Sequence, residues 1–260
     1  MTTSALFKLF SREYQFTESR QSYHMPPTLD NSHIPTHSIG HVKSFVRREG
    51  RITTGQERAI KELWQRFGVD ITSPFDPQRL FGRHAPLVLE IGFGDGEALA
   101  TTCLTHPEMD FLGIEVHRPG LGHLLLRAFG MELTNLRVIH CDAVEVLERY
   151  LPDESLDRVQ IFFPDPWPKL RHHKRRLIQP TFVSAVTKKL KPHGQLHIAT
   201  DCDSYAYSIL AILTATTELE NTATDGGFAR GPAYRPMTKF ERRCKHAGRP
   251  VWEIRFAKCA

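Results

Sequence analysis

Long apolar runs are missing from this 260-residue chain. A membrane span needs roughly 18 consecutive apolar residues, and no stretch approaches that; nor does the N-terminus carry the apolar core of a secretory signal. A soluble, unexported, cytoplasmic protein is expected, and Glu13 and Glu18 disfavour a transit peptide. Cysteine is also scarce. The thiols at positions 103, 141, 202, 244 and 259 are odd in number and lack close paired spacing, which excludes a disulfide framework and a zinc site. They read as reduced thiols, and no metal is expected. Residues 1–40 lack a sustained apolar period beyond a short cluster at Ala5–Phe10, so a disordered N-terminal extension is expected there. No internal repeat breaks the remainder, 41–260, which is expected to be one domain.

What the chain does have is unevenly placed charge. The net charge is only +5, yet the segments 41–51, 169–176 and 235–249 hold 4, 5 and 6 Lys/Arg and only two acids, Glu49 and Glu241. Together they carry +13, while the rest of the chain carries −8. A basic excess confined to three segments on an acidic body suits a phosphate-rich partner, provided that folding gathers them.

Thr54 followed by Glu57 fits a capping box, and Ile60, Leu63, Trp64 and Phe67 recur at helical spacing behind it. From residue 86 strands and helices alternate, the signature of a parallel sheet with helices on both faces. Candidate strands are 86–91, 111–116, 137–140, 158–163 and 195–199, with a late strand at 251–256; candidate helices are 97–104, 120–129, 143–150, 178–190 and 204–216.

The first strand, Leu87-Val-Leu-Glu-Ile91, runs straight into Gly92, Gly94 and Gly96. Glycines there let the backbone turn sharply and approach a ligand closely at the carboxyl end of the sheet. The spacing is one residue shorter than the loop that wraps a dinucleotide pyrophosphate, and Glu90 stands two residues before the first glycine. This combination resembles the first motif of class I methyltransferases, whose cofactor, S-adenosyl-L-methionine, is cationic and carries no phosphate. Glu115 ends the second strand, where a carboxylate can accept ribose hydroxyls; Asp142 follows the third, within reach of an adenine amino group. The fourth strand leads into Phe162-Phe-Pro-Asp-Pro-Trp-Pro-Lys169, in which two prolines fix the backbone around Asp165. Trp167 is expected to pack in the core rather than stack on a base. Asp201 closes the fifth strand on the same edge as the other acids.

The Phe-Pro-Asp-Pro-Trp-Pro-Lys string followed by Arg-His-His-Lys-Arg-Arg, with Gly113-Ile-Glu-Val-His-Arg-Pro-Gly120 and Arg235-Pro-Met-Thr-Lys-Phe-Glu241, resembles the bacterial tRNA (guanine-N7-)-methyltransferases that modify guanine 46 of the variable loop. The segment Arg47–Gln56 also resembles their leader, so the likeness covers roughly 41–257. It implies a Rossmann-like class I methyltransferase with a mostly parallel seven-stranded sheet, tRNA as partner, and a monomer or homodimer. It also implies that Glu90, Glu115, Asp142 and Asp165 contact cofactor, that Asp165 is catalytic, and that Lys169, Asp201 and the block Thr238, Lys239, Phe240 and Glu241 contact substrate. The run Arg171, His172, His173, Lys174, Arg175 and Arg176 would meet RNA. Guanine N7 carries a lone pair and no hydrogen, so no general base is required; Asp165 with Asp201 or Glu241 would grip the N1-H and amino edge. A rival reading, an amino-methyltransferase with an Asp-Pro-Pro-aromatic motif, lacks the second consecutive proline here. A catalytically silent RNA-binding module would have no physical need for acids at every strand tip.

Overall fold

The computed structural model describes residues 50–231 and 235–260. The N-terminal extension and most of the leader-like basic segment, through residue 49, lie outside the described residues. Thr53 opens helix α1 (Thr54–Phe67) with a capping box one residue earlier than the spacing suggested: Gln56 N donates to Thr53 Oγ1, and Thr53 N donates to Gln56 Oε1. Thr54 and Glu57 are therefore inside the helix rather than its caps. A short helix α2 (Pro77–Phe81), capped by Asp76, precedes the sheet.

The strands are β1 (Leu87–Ile91), β2 (Asp110–Ile114), β3 (Leu136–Ile139), β4 (Leu156–Phe162), β5 (Leu190–Thr200), β6 (Leu219–Asn221) and β7 (Trp252–Lys258). Their order is β3-β2-β1-β4-β5-β7-β6, with β1 to β5 parallel and β7 antiparallel to both neighbours. The helices after β1 are α3 (Glu97–Thr105), α4 (Arg118–Gly130), α5 (Ala143–Arg149), α6 (Pro180–Lys189), α7 (Asp203–Thr214) and α8 (Lys239–His246). The seven-stranded, mostly parallel sheet implied by the family resemblance is present, with one strand, β6, beyond the six read from the sequence pattern. Helix α8, absent from the periodicity reading, carries hardly any apolar residues; it is held by charge, not by a hydrophobic stripe.

Both faces of the first strands are covered, which is why β1 and β2 are buried at every position. Leu89, Leu112, Val159, Ile198 and Ile254 belong to one apolar cluster with residues of α5, α6 and α7, whereas Val88, Phe111, Leu136 and Val138 meet α1, α3 and α4 in a second. Each fully buried Leu, Ile or Phe contributes roughly 1.5–3 kcal/mol relative to exposure, so the sheet is a stiff platform for whatever its edge carries. The chain runs outward from β1 to β2 and β3, then crosses back to β4 beside β1. That reversal opens a crevice at the carboxyl ends of β1 and β4, the general ligand position in such sheets. Among the described residues no helix is long and apolar enough to cross a membrane.

Candidate active site

Glycine is required at three positions in the loop after β1. Gly92, Gly94 and Gly96 have φ of 75°, 62° and 71°, the left-handed region that penalises a side chain. A Cβ on Gly96 would also stand 2.6 Å from Leu124 Cβ, and one on Gly120 would stand 2.0 Å from Gly94 O, so the start of α4 presses directly on the loop. Above Gly92 and Gly94 a Cβ would meet nothing within 4 Å. The bent loop thus leaves open space at the crevice, which fits a ligand approaching bare backbone.

Glu90 is buried inside β1, where Gln160 of β4 donates to its Oε2 at 2.6 Å. Burial raises its carboxyl pKa to about 7, against the lowering effects of Gln160 and Arg235. Glu115, one residue past β2, is engaged by backbone: Oε2 accepts from Gly94 N at 2.9 Å, and Oε1 accepts from Val116 N and His117 N at 2.7 and 3.0 Å. It therefore ties the glycine loop to the entry of α4. Asp142 caps α5, accepting from Val144 N at 2.9 Å. Both acids lie at successive strand ends as expected, and each spends part of its acceptor capacity on holding its own loop.

The loop after β4 is strained at both ends of the Asp165 turn. Phe163 and Trp167 adopt φ of 54° and 42°, which cost roughly 1–3 kcal/mol each and persist only when surroundings enforce them. Phe163 N bonds to Ala199 O of β5 at 2.8 Å. Arg176, predicted to meet RNA, instead turns inward: it is 4% exposed, Nε donates to Pro166 O at 2.9 Å, Nη2 reaches Ser204 Oγ at 3.2 Å, and the guanidinium lies 4.6 Å over Tyr205. Trp167 is half-buried and outside both apolar clusters, with His172 edge-on at 5.9 Å and Arg175 over its face at 5.1 Å. The core-packing expectation fails because two prolines and a positive φ swing the ring out to the basic run.

Asp165 itself is exposed and has no hydrogen-bond or ion-pair partner among the described residues. Loss of hydration in the loop raises its pKa above the usual carboxylate value. Lys169 and the 3-10 turn Leu170–Arg175 follow. Lys169, Arg171 and Lys174 are exposed and reach no carboxylate among the described residues; Arg175 is half-buried against Trp167. His172 is shifted below its ordinary pKa by desolvation and by the Arg and Lys side chains around it, and His173 buries its Nε2.

Helix α8 roofs the crevice. Thr238 caps it by accepting from Glu241 N at 3.1 Å. Lys239 reaches Asp95 of the glycine loop at 3.8 Å, and Arg242 binds Glu97 of α3 at 2.8 Å. Phe240, 56% exposed, stacks on Phe163 at 6.1 Å. Asp201, one residue past β5, receives Cys244 Sγ at 3.3 Å and pairs with Arg249. Glu241 is not available to grip a base, contrary to expectation: it is 2% exposed and paired with Arg235 at 2.6 Å. The sequence assigned no role to Gln160, His197, Arg235 and Glu253, all buried beside the site. A signal existed, because Arg158, Gln160, Gln195, His197, Glu253 and Arg255 recur at period two in otherwise apolar strands.

Sheet order, glycine loop and strand-tip acids define a class I methyltransferase fold. The profile of a family described as putative methyltransferase matches residues 84–254. The tRNA (guanine-N(7)-)-methyltransferase of Alkalilimnicola ehrlichii is 54% identical over 84% of this chain and 92% of its own length, and that of Nitrosococcus oceani 52% identical over 84% and 91%. In fold alone, the crystal structure of the 16S rRNA methyltransferase KamB is similar with a TM-score of 0.50 at 15% identity, covering 75% of this chain and 98% of that one. The chain belongs to the tRNA (guanine-N(7)-)-methyltransferase family.

Proposed function

We propose that this protein transfers the methyl group of S-adenosyl-L-methionine to N7 of guanine 46 in the variable loop of cytoplasmic tRNA. The observation that carries the reading is Asp165: a carboxylate on a strained turn with no partner among the described residues, followed by a strip of cations that reach no carboxylate among them. Gly92, Gly94, Glu90, Glu115 and Asp142 would hold the donor, and the open space above the two glycines fits it. When bound, S-adenosyl-L-methionine supplies an electrophilic methyl on a positively charged sulfur.

Guanine N7 needs no deprotonation, so the protein's work is to align the base and exclude water. Asp165 and Asp201 accept from the N1-H and amino edge and favour the positive charge that develops on the purine. Lys169, Arg171 and Lys174 bind phosphates, and Phe240 offers an exposed ring beside the loop. Because N7 is engaged in folded tRNA, the target base is drawn from its stack. The test is incubation of purified protein with labelled donor and total tRNA, followed by mapping of the modified nucleotide. Label at a guanine, lost on 7-deazaguanine substitution, is the expected result; label at an adenine would overturn it.

A further inference from the structure

A buried set of charges centred on Arg235 lies against the end of β4, just ahead of the Asp165 loop. Arg235 is 5% exposed; its Nη1 donates to Glu241 Oε2 at 2.6 Å and its Nη2 to Glu253 Oε1. Its guanidinium lies over Phe162 at 4.9 Å and Phe163 at 5.9 Å. Glu253 also bonds His197 Nε2, and His197 packs edge-on against Phe162 at 5.1 Å. One side chain thus ties together three segments: β7 through Glu253, α8 through Glu241, and the end of β4 through two rings. Asp165 follows Phe163 by two residues, and Phe240 of α8 stacks on the same Phe163.

We propose that Arg235 is a positioning residue for methyl transfer, fixing the Asp165 loop relative to α8 across the guanine site. The proposal rests on the guanine-N7 reading above. A buried ion pair is a weak source of stability compared with apolar packing, and its better attested role is to select one arrangement over others. Arginine suits that role because its planar fork binds two carboxylates at fixed angles while stacking on rings; lysine keeps the charge but loses both.

The test uses the full chain carrying R235K or E241Q, with wild-type product first mapped to guanine N7. For R235K, kcat should fall about ten- to hundredfold, as for a reacting geometry displaced by an ångström or less. KM for tRNA and Kd for S-adenosylhomocysteine should stay within about threefold, and amide exchange should quicken in 163–167 and 239–246 while β1 and β5 keep their protection. E241Q, which leaves the Glu253 arm, should lower kcat in the same direction by less. An R235K kcat within about twofold of wild type overturns the proposal, as does a loss matched by weaker cofactor binding and faster exchange throughout. If R235K does not fold, an E241Q kcat within about twofold of wild type overturns it. Absence of N7-methylguanine from the wild-type product overturns the functional reading instead, and the exchange comparison still reports on positioning.

Discussion

Two of the basic segments share a strong cationic excess and are opposite in use. In 169–176, Lys169, Arg171, Lys174 and Arg175 reach no acid among the described residues, and Arg176 alone is buried as a brace. In 235–249 nearly every cation is already paired: Arg235 with Glu241 and Glu253, Lys239 with Asp95, Arg242 with Glu97, Lys245 with Glu241, and Arg249 with Asp201. Net charge along a sequence therefore does not reveal which cations remain free for phosphate. The first segment is electrostatic surface available to a polyanion; the second is the fastening of a helix that has almost no apolar face.

The sharpest separation should come from Asp165, which begins the free segment's loop but carries no cation. D165N should lower kcat by about 10²–10³, the usual effect of deleting one electrostatic contact to a transition state, while tRNA affinity in a filter assay stays within about twofold. Equal losses of binding and turnover would show that the loop does not divide the two tasks. Next in size, K169A/R171A/K174A should weaken tRNA binding about a hundredfold at physiological salt, and make the fall of log K with log salt shallower by about 3. Turnover at saturating tRNA should change little. An unchanged salt slope would place the phosphates elsewhere.

The fold was legible because its signals are local. Apolar strands, the glycine loop and alternating helices placed four of the five parallel strands to within two residues, while β5 begins at Leu190, five residues before its expected start. The short edge strand β6, only three residues long, had no period to show. The acids at strand tips were legible too, since topology alone sends Glu115, Asp142, Asp165 and Asp201 to one edge. The pairings around them were not: Arg235 meets Glu241 and Glu253 only through tertiary folding, and Asp201 meets Arg249 across 48 positions. Trp167 likewise looked like core until the backbone at φ 42° turned it outward.

Glu90 sharpens the contrast from the donor side. Its folded pKa, raised to about 7, lies above the ordinary carboxyl value, so its contribution to stability is full below about 4.5 and lost as pH rises through about 7. E90Q removes that loss. The unliganded variant should gain stability over wild type by on the order of 1–3 kcal/mol at pH 8 relative to pH 5, measured by denaturant unfolding at both pH values. Donor binding should move the other way, strengthening through pH 7 in wild type and losing that step in E90Q, by titration calorimetry. A wild type without the step would mean that ionised Glu90 does not favour the cationic donor.

The smallest effect belongs to the paired segment's own surface. Arg242 and Glu97 are each more than a third exposed, so their bond at 2.8 Å is screened by water and salt. R242Q should cost at most about 1 kcal/mol of stability, and the loss should shrink in high salt. Because Arg242 is already neutralised by Glu97, removing it should leave the salt slope of tRNA binding near the wild-type value, in contrast to the strip variant. A slope shallower by about 1 would mean that RNA displaces Glu97 and takes this cation. The second segment would then be both fastening and phosphate site, with the roof over the crevice loosening as tRNA binds.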